Sequence, residues 1–354
     1  MDTPRVVVSV KRLRHNIEDM ADFARSKGVK LRPHVKAHKT VEIARMQMDA
    51  GASGITVSKL GEAEVMFGAG IGDILLAYPL IGREKLARAR ALIQSGCQLS
   101  FVVDSVEGAR ALLDLGISRP VDVLVEVDSG LQRCGLLPGQ ELVDYCRWLA
   151  GQPGLNLRGI MTHAGHVYAC SSPEEVEKIG KEEGSIMIDV ASRLGQQGIA
   201  AEVVSIGATP TVKHGGGHPG ITEIRPGNYV FYDAMQVALG VVDAQRCSLH
   251  VESTVVSRPN SKRAVIDAGA KVLALDAGAH GNRLLSGYGL LSDQRWCLAR
   301  LSEEHGIIEG QDLPEIGETI KIIPNHACPV VNLADELVLS HGGSWPVAAR
   351  GKSR

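Results

Sequence analysis

The chain has 354 residues, of which 44 % are hydrophobic and 22 % charged, with a formal net charge of −2; this is the balance of an ordinary globular protein with enough chain for two domains. The charge excludes the basic footprint of a nucleic-acid binder. No apolar run approaches the ~20 residues of a membrane span, and the opening MDTPRVVVSVKRLRHN lacks an apolar signal-peptide core, so a cytoplasmic location is expected. The first element, RVVVSV (5–10), reads as a strand. Eight apolar runs then alternate with helix-length amphipathic segments: KLRPHVKA (30–37), GITVSKL (54–60), DILLAYP (73–79), LSFVVDS (99–105), VDVLVEVD (121–128), LRGIMTHAG (157–165), AEVVSIGA (201–208) and TEIRPGNYVFYD (222–233). Segments such as REKLARARALIQSG (83–96) place apolar residues at helical spacing and stop at a glycine.

This β-α alternation predicts parallel strands, and eight units fit a (β/α)8 TIM barrel of roughly 250 residues, placed at 11–236. The texture changes after 236. HVESTVVS (250–257) and RAVIDAG (263–269) around a Pro-Asn-Ser turn predict a hairpin, and ETIKIIPN (318–325) and DELVLSHG (335–342) predict further strands. The expectation is an α/β chain: a barrel followed by a mostly β C-terminal domain formed by 1–10 plus 237–354. The seven cysteines are scattered, with no CxxC pair, which speaks against a disulfide framework or a structural zinc finger.

Barrel enzymes work at the C-terminal ends of their strands. Those ends carry Lys36 and His38 after the first run, Asp128 and Arg133 after the fifth, and His163 and His166 after the sixth. The seventh leads into Gly207, Thr209 and Thr211, and the eighth carries Arg225, Gly227, Tyr229 and Tyr232. A lysine at the end of a buried strand is costly. Spacing alone leaves two readings open. Lys36 pairs with a carboxylate such as Glu126 or Asp128, or it is the Schiff-base lysine of pyridoxal phosphate, with the Gly/Thr turn cradling the phosphate. His163 alone is equally a hydrogen-bonded core histidine.

Several separated motifs in one order narrow this. RPHVKAHK (32–39), VDSGLQRCG (127–135), GIMTHAGHVY (159–168), SIGATPT (205–211), EIRPGNYVFYD (223–233), EEHG (303–306) and IIPNHACP (322–329) resemble the fold-type III, alanine-racemase-like pyridoxal-phosphate enzymes. Within them the chain is most similar to the family of D-serine dehydratase, D-threo-3-hydroxyaspartate dehydratase and D-threonine aldolase. The resemblance implies that Lys36 holds pyridoxal 5'-phosphate. It places Arg133 near the phenolic oxygen and His163 against the ring. Thr209, Gly227 and Asn228 hold the phosphate, with Thr40, Thr211 and Tyr229 beside it, and Arg225 faces the pyridine nitrogen. His163, His166 and Tyr168 join Lys36 as candidate acid/base groups.

The resemblance also implies a divalent metal at His326 and Cys328. The two are two residues apart, so on a strand both would face one way. Imidazole with thiolate suits zinc, with manganese as the alternative. Taken without the family, the pair reads as a buried cysteine beside a surface histidine. The implied activity is a metal-assisted lyase that removes water from a D-3-hydroxy amino acid to give a keto acid and ammonia. Retro-aldol cleavage to glycine and an aldehyde is the alternative, and racemization a third reading. The expected partner is a small D-amino acid, with no nucleic acid and no membrane, in a homodimer. The loop HGGGHPG (214–220), with His214 and His218, has no assigned role.

Overall fold

The structure, a computed structural model, describes residues 2–277, 282 and 284–354. Among these residues two sheets organise the chain. Strand β1 (Arg5–Val8) opens it, and eight parallel strands follow: β2 (Lys30–Leu31), β3 (Ile55–Val57), β4 (Asp73–Leu76), β5 (Gln98–Val103), β6 (Val121–Val127), β7 (Leu155–Thr162), β8 (Val203–Ile206) and β9 (Glu223–Ile224). They pair in the order β2-β9-β8-β7-β6-β5-β4-β3. The circle closes where Ser53 N donates to Leu31 O, Thr56 N donates to Pro33 O, and His34 bridges Thr56.

Alternation along the strands builds two cores. Leu75, Val102, Leu124 and Met161 point inward from β4, β5, β6 and β7 and plug the barrel. Their neighbours Leu76, Phe101, Val125 and Ile160 point outward into the main core. The plug is the floor of the cavity described below.

The first and eighth runs are much shorter strands than their sequences predict. β2 stops at Leu31, and Val35–Ala37 forms a 3-10 turn. β9 covers only Glu223–Ile224; after it come a 3-10 turn (Asn228–Val230) and a short helix (Ala234–Ala238). Pro33 and Pro226 lie at these breaks, where proline supplies no N–H for ladder pairing. Both breaks turn side chains over the barrel mouth.

The second sheet holds β1 with β10 (Leu249–Asn260), β11 (Arg263–Ile266), β12 (Gly289–Leu291), β13 (Trp296–Leu301), β14 (Gly306–Gly310), β15 (Thr319–Pro324), β16 (Glu336–Leu339) and β17 (Ser344–Pro346). β1 lies between β10, antiparallel, and β16, parallel. The β10–β11 hairpin and strands β15 and β16 match the predicted runs. β12, β13, β14 and β17 carry no clean alternation and were not anticipated. EEHG is the tight turn between β13 and β14, closed by Ser302 N donating to His305 O.

The His214–His218 loop packs on the long helix Pro173–Gln196. A β-carbon at Gly180 would come within 2.7 Å of His214 Cβ, and one at Gly184 within 3.0 Å of His218 Cδ2. The helical glycines make room for the two histidines, so the loop is a packing element on the outside of the barrel.

Candidate active site

A cavity of about 650 Å³ opens at the C-terminal mouth of the barrel, within the usual range of small-molecule sites. His34, Lys36, Glu126, Arg133, His163, Tyr168, Gly207, Thr209, Arg225, Gly227 and Asn228 come from the barrel. Asp276, Asn325, His326 and Cys328 come from the C-terminal part.

Lys36 enters because the strand ends early. His34 caps the 3-10 turn, its Nδ1 accepting from Lys36 N at 3.4 Å, and the turn carries Lys36 into the cavity. Burial lowers the Lys36 pKa; Arg133 and Arg225 add to this, while Cys328 and Glu62 oppose it, and the net direction is down. The amine is thereby moved towards its neutral, nucleophilic form. His38 goes the other way. It is fully buried outside the cavity, its Nδ1 accepting from Thr40 N at 3.1 Å and its Nε2 meeting Gln47 Oε1 at 3.2 Å.

His163 Nδ1 lies 2.7 Å from the carbonyl of Gly207. A carbonyl only accepts, so Nδ1 carries the proton and Nε2 keeps its lone pair. Burial, with Lys36 nearby, pushes its pKa down to about 3, so the ring is neutral and resists protonation. Arg225 is buried and donates to Ser205 Oγ and to the Thr162 carbonyl. Ser205 Oγ in turn donates to Glu223 at 2.7 Å, and Arg32 bridges Glu223 and Asp73. This relay locks Arg225 in place. Arg133 stands 3.6 Å from Glu126, so the carboxylate first considered for Lys36 pairs with Arg133.

The residues fit a phosphate-bearing ring. Thr209 Oγ1 accepts from Tyr229 N at 3.2 Å, which leaves its hydroxyl proton for a ligand. Gly207 and Gly227 must lack side chains: a β-carbon would come within 2.8 Å of Arg225 N and 2.9 Å of His34 O, respectively. Asn228 lines the same wall with its Nδ2 donating to Asp233; its buried Oδ1, without a partner among the described residues, is an acceptor and suits a donor rather than a phosphate oxygen.

Four expected residues are not on that wall. Thr40 is fully buried and donates to His38 O at 2.7 Å. Thr211 is buried and spends its hydroxyl on Glu183 at 2.7 Å. Tyr229 is buried with its Oη accepting from Gln47 at 3.0 Å; only its amide serves Thr209. His166 packs beside Gly130. Thr40 and Tyr229 turn away at the breaks in β2 and β9, His166 in the turn after β7, and Thr211 at the N-cap of the short helix Val212–Gly215 after β8, where strand alternation no longer applies. Tyr168 does face the cavity. Its Oη accepts from Gln236 Nε2 at 3.3 Å, and burial raises its pKa far above the usual tyrosine range, so it stays a protonated donor.

His326 and Cys328 do not share a strand. β15 ends at Pro324; His326 caps the helix Ala327–Leu333, and Cys328 sits in that helix's first turn. They still converge on the cavity. His326 Nδ1 pairs with Asp276 Oδ2 at 2.8 Å, which leaves Nε2 for a ligand and resembles the carboxylate–histidine support of metal sites. Burial would lower the His326 pKa, but Cys328, Asp276 and Asp233 outweigh it and raise it well above the ordinary value. A site whose field favours a cation, built from imidazole and sulfur, fits a divalent metal of zinc type. Among the described residues no group of three His, Cys, Asp or Glu stands together as a metal-ligand set.

Three residues of the site have no counterpart in the sequence-based expectation. Glu183 (buried on the long helix) accepts from Ala164 N, Gly207 N and Thr211 Oγ1 and thereby fixes the Gly/Thr turn. Asp233 closes the quoted EIRPGNYVFYD motif, and its position there was the available signal. Asp276 stands in a loop with no pattern to mark it.

The family described as "Alanine racemase, N-terminal domain" matches residues 8–234, and the "Putative serine dehydratase domain" matches 248–340. D-threo-3-hydroxyaspartate dehydratase of Delftia sp. is 35 % identical, covering 93 % of this chain and 91 % of its own. D-threonine aldolase of Arthrobacter sp. is 30 % identical, with coverages of 100 % and 94 %; D-serine dehydratase of Dictyostelium discoideum is 32 % identical, with 93 % and 90 %. The solved Delftia structure superimposes with a TM-score of 0.90 at 33 % identity, covering 98 % of this chain and 97 % of that one. Two solved variants of the Delftia enzyme change a histidine and a cysteine two positions further on to alanine, the cysteine variant in a metal-free form.

Proposed function

Because the chain belongs to the alanine-racemase-like pyridoxal-phosphate enzymes, in the branch that holds these dehydratases and aldolases, we propose that it is a pyridoxal-phosphate- and divalent-metal-dependent lyase. Its reaction is the elimination of water from a D-3-hydroxy amino acid of the D-serine or D-threo-3-hydroxyaspartate type, giving an enamine whose hydrolysis by one water yields a keto acid and ammonia. The observation that carries this reading is that one cavity brings Lys36 from the barrel mouth together with His326 and Cys328 from the C-terminal part. The spacing of that pair equals that of the histidine and cysteine changed in the Delftia variants.

When bound, the cofactor supplies an electron sink next to Cα, and the metal supplies Lewis-acid assistance at the β-oxygen. Lys36, Thr209, Gly227 and Asn228 would hold the cofactor, with Arg133 at its phenolic oxygen, Arg225 at its ring nitrogen and His163 against its face. His326 and Cys328 would hold the metal, zinc by its donor set. The Lys36 amine, favoured as neutral by burial, takes the proton from Cα. Tyr168 offers a hydroxyl proton to the substrate. His163 stays neutral in that place. The plug below and the C-terminal part above restrict water around these groups.

A base beside the β-hydroxyl would instead favour Cα–Cβ cleavage; the likeness to D-threonine aldolase supports this second reading. The test is product analysis. The enzyme, loaded with pyridoxal phosphate and zinc, is incubated with D-serine, D-threonine and D-threo-3-hydroxyaspartate. Keto acid and ammonia in equal amounts are expected. Glycine and an aldehyde as the main products would transfer the assignment to the aldolase reaction.

A further inference from the structure

Asp233 is completely buried, yet it lies at the cavity wall. A buried carboxylate needs donors, and the donors of Asp233 come from two places. Its Oδ2 accepts from Asn228 Nδ2 at 2.6 Å and from the amide of Ala327 at 2.9 Å. Its Oδ1 caps the next helix by accepting from Gln236 N at 3.1 Å. Asn228 belongs to the loop assigned to the phosphate. Ala327 is the residue between His326 and Cys328. One carboxylate oxygen therefore ties the phosphate loop to the metal turn. A second tie runs alongside, from Met235 N to Asn325 O at 3.2 Å.

We propose that Asp233 is a positioning residue that couples the two sites, so that the cofactor and the metal each tighten the binding of the other. This rests on the reading given under Proposed function. The physical basis is shared ordering. A group bound at the phosphate loop fixes Asn228 and with it Asp233. That fixes the Ala327 amide and the flanking imidazole and sulfur, so the metal meets a turn whose ordering cost is already met. Linkage makes the effect reciprocal: each group changes the other's affinity by one common factor.

The experiment measures zinc affinity by chelator competition on the apoprotein and on protein loaded with pyridoxal phosphate. It also measures pyridoxal phosphate affinity with and without zinc. In the wild type both ratios should agree, at about five-fold or more. Asp233→Ala removes the oxygen that both Asn228 Nδ2 and Ala327 N donate to, so the tie breaks, and both ratios should collapse towards one. Ala327→Pro deletes the other donor while leaving Asp233 and both ligands in the sequence. Position 327 is the first residue of its helix, where proline is tolerated. His326 before it is extended, at φ −139° and ψ 114°, as a residue preceding proline must be. The same collapse is expected there, and this variant decides the matter if Asp233→Ala does not fold.

A purely structural Asp233 would weaken each affinity and lower the melting temperature but leave the ratios intact. Ratios near one in the wild type, or ratios preserved in a folded variant, overturn the coupling while leaving the lyase reading in place. Zinc affinity unchanged by His326→Ala, or no zinc binding at all, overturns the metal assignment and the coupling with it.

Discussion

His38 should make the protein acid-sensitive by a calculable amount. Thr40 N donates to Nδ1, so Nε2 carries the proton and donates to Gln47 Oε1. Gln47 Nε2 then donates to Tyr229 Oη. The imidazolium form would place a proton on Nδ1 against the Thr40 amide. Burial pushes the pKa down from 6.5 to about 4. The unfolded chain therefore takes up a proton near pH 6.5 that the folded chain refuses until about pH 4. Stability contributed by this group is fully present above pH 6.5 and is lost as the pH falls through that window. At about 1.4 kcal/mol per pH unit, the loss is about 3 kcal/mol. His38→Gln removes the titration, at a cost of about 1–3 kcal/mol at neutral pH for the Thr40 amide and Gln47 left with poorer partners. Urea unfolding of both proteins from pH 7 down to pH 4 should show the variant's deficit shrinking by about 3 kcal/mol. Parallel curves, or an imidazole that titrates near pH 6 by NMR in the folded protein, would refute the reasoning.

Lys36→Ala should fold and should lack the visible band of lysine-linked pyridoxal phosphate; a band that borohydride fixes to another lysine would remove Lys36 from its role. EDTA should abolish turnover, while at saturating pyridoxal phosphate the band persists, because Lys36 and not the His326–Cys328 pair carries the cofactor. Cys328→Asp replaces a soft donor with a hard one and should shift preference from zinc towards manganese; dehydration should fall by orders of magnitude and any cleavage of D-threonine by less, measured at fixed metal. Thr211→Val leaves Glu183 Oε2 without its hydroxyl donor in a fully buried place, which should cost about 1–3 kcal/mol by thermal unfolding and weaken cofactor retention through Gly207.

All eight barrel strands were legible, because a parallel strand buried on both faces is written as a compact apolar run. Lys36, His163, Arg225, Gly227 and Asn228 were legible for a related reason: they sit at strand ends, where the fold itself marks the mouth. What failed was orientation within a few residues of those ends. Thr40, Thr211, Tyr229 and His166 stand in the right loops but off the cavity wall, since the chain leaves the period of two at 3-10 turns and, for Thr211, at a short helix start that no apolar pattern announces. The His326–Cys328 pair shows the converse. The strand argument for its shared direction does not hold, yet a helix cap and a first-turn residue converge as well. Glu183 was unreadable because a buried carboxylate is defined by its donors, and those come from Ala164, Gly207 and Thr211 on other segments; Asp233 stood in a quoted motif, but its tie to Ala327 was unreadable for the same reason.

The membership of β1 in the second sheet bears on how the molecule is made. During synthesis, Val6, Val7 and Val8 emerge first but cannot pair until β10 appears at Leu249, and their other edge stays open until β16 at Glu336. The barrel can assemble in the meantime, as an insertion inside a sheet that is still waiting. An unpaired apolar strand is a template for unwanted association. Arg5 is well placed to blunt it: its charge discourages edge-to-edge contact while the strand is bare, and it then closes on Glu252, with Nε 2.9 Å from Oε2, when β10 arrives. A circular permutant that moves β1 to follow β17 would let this sheet form from contiguous chain, and its refolding yield would measure how much the wait costs.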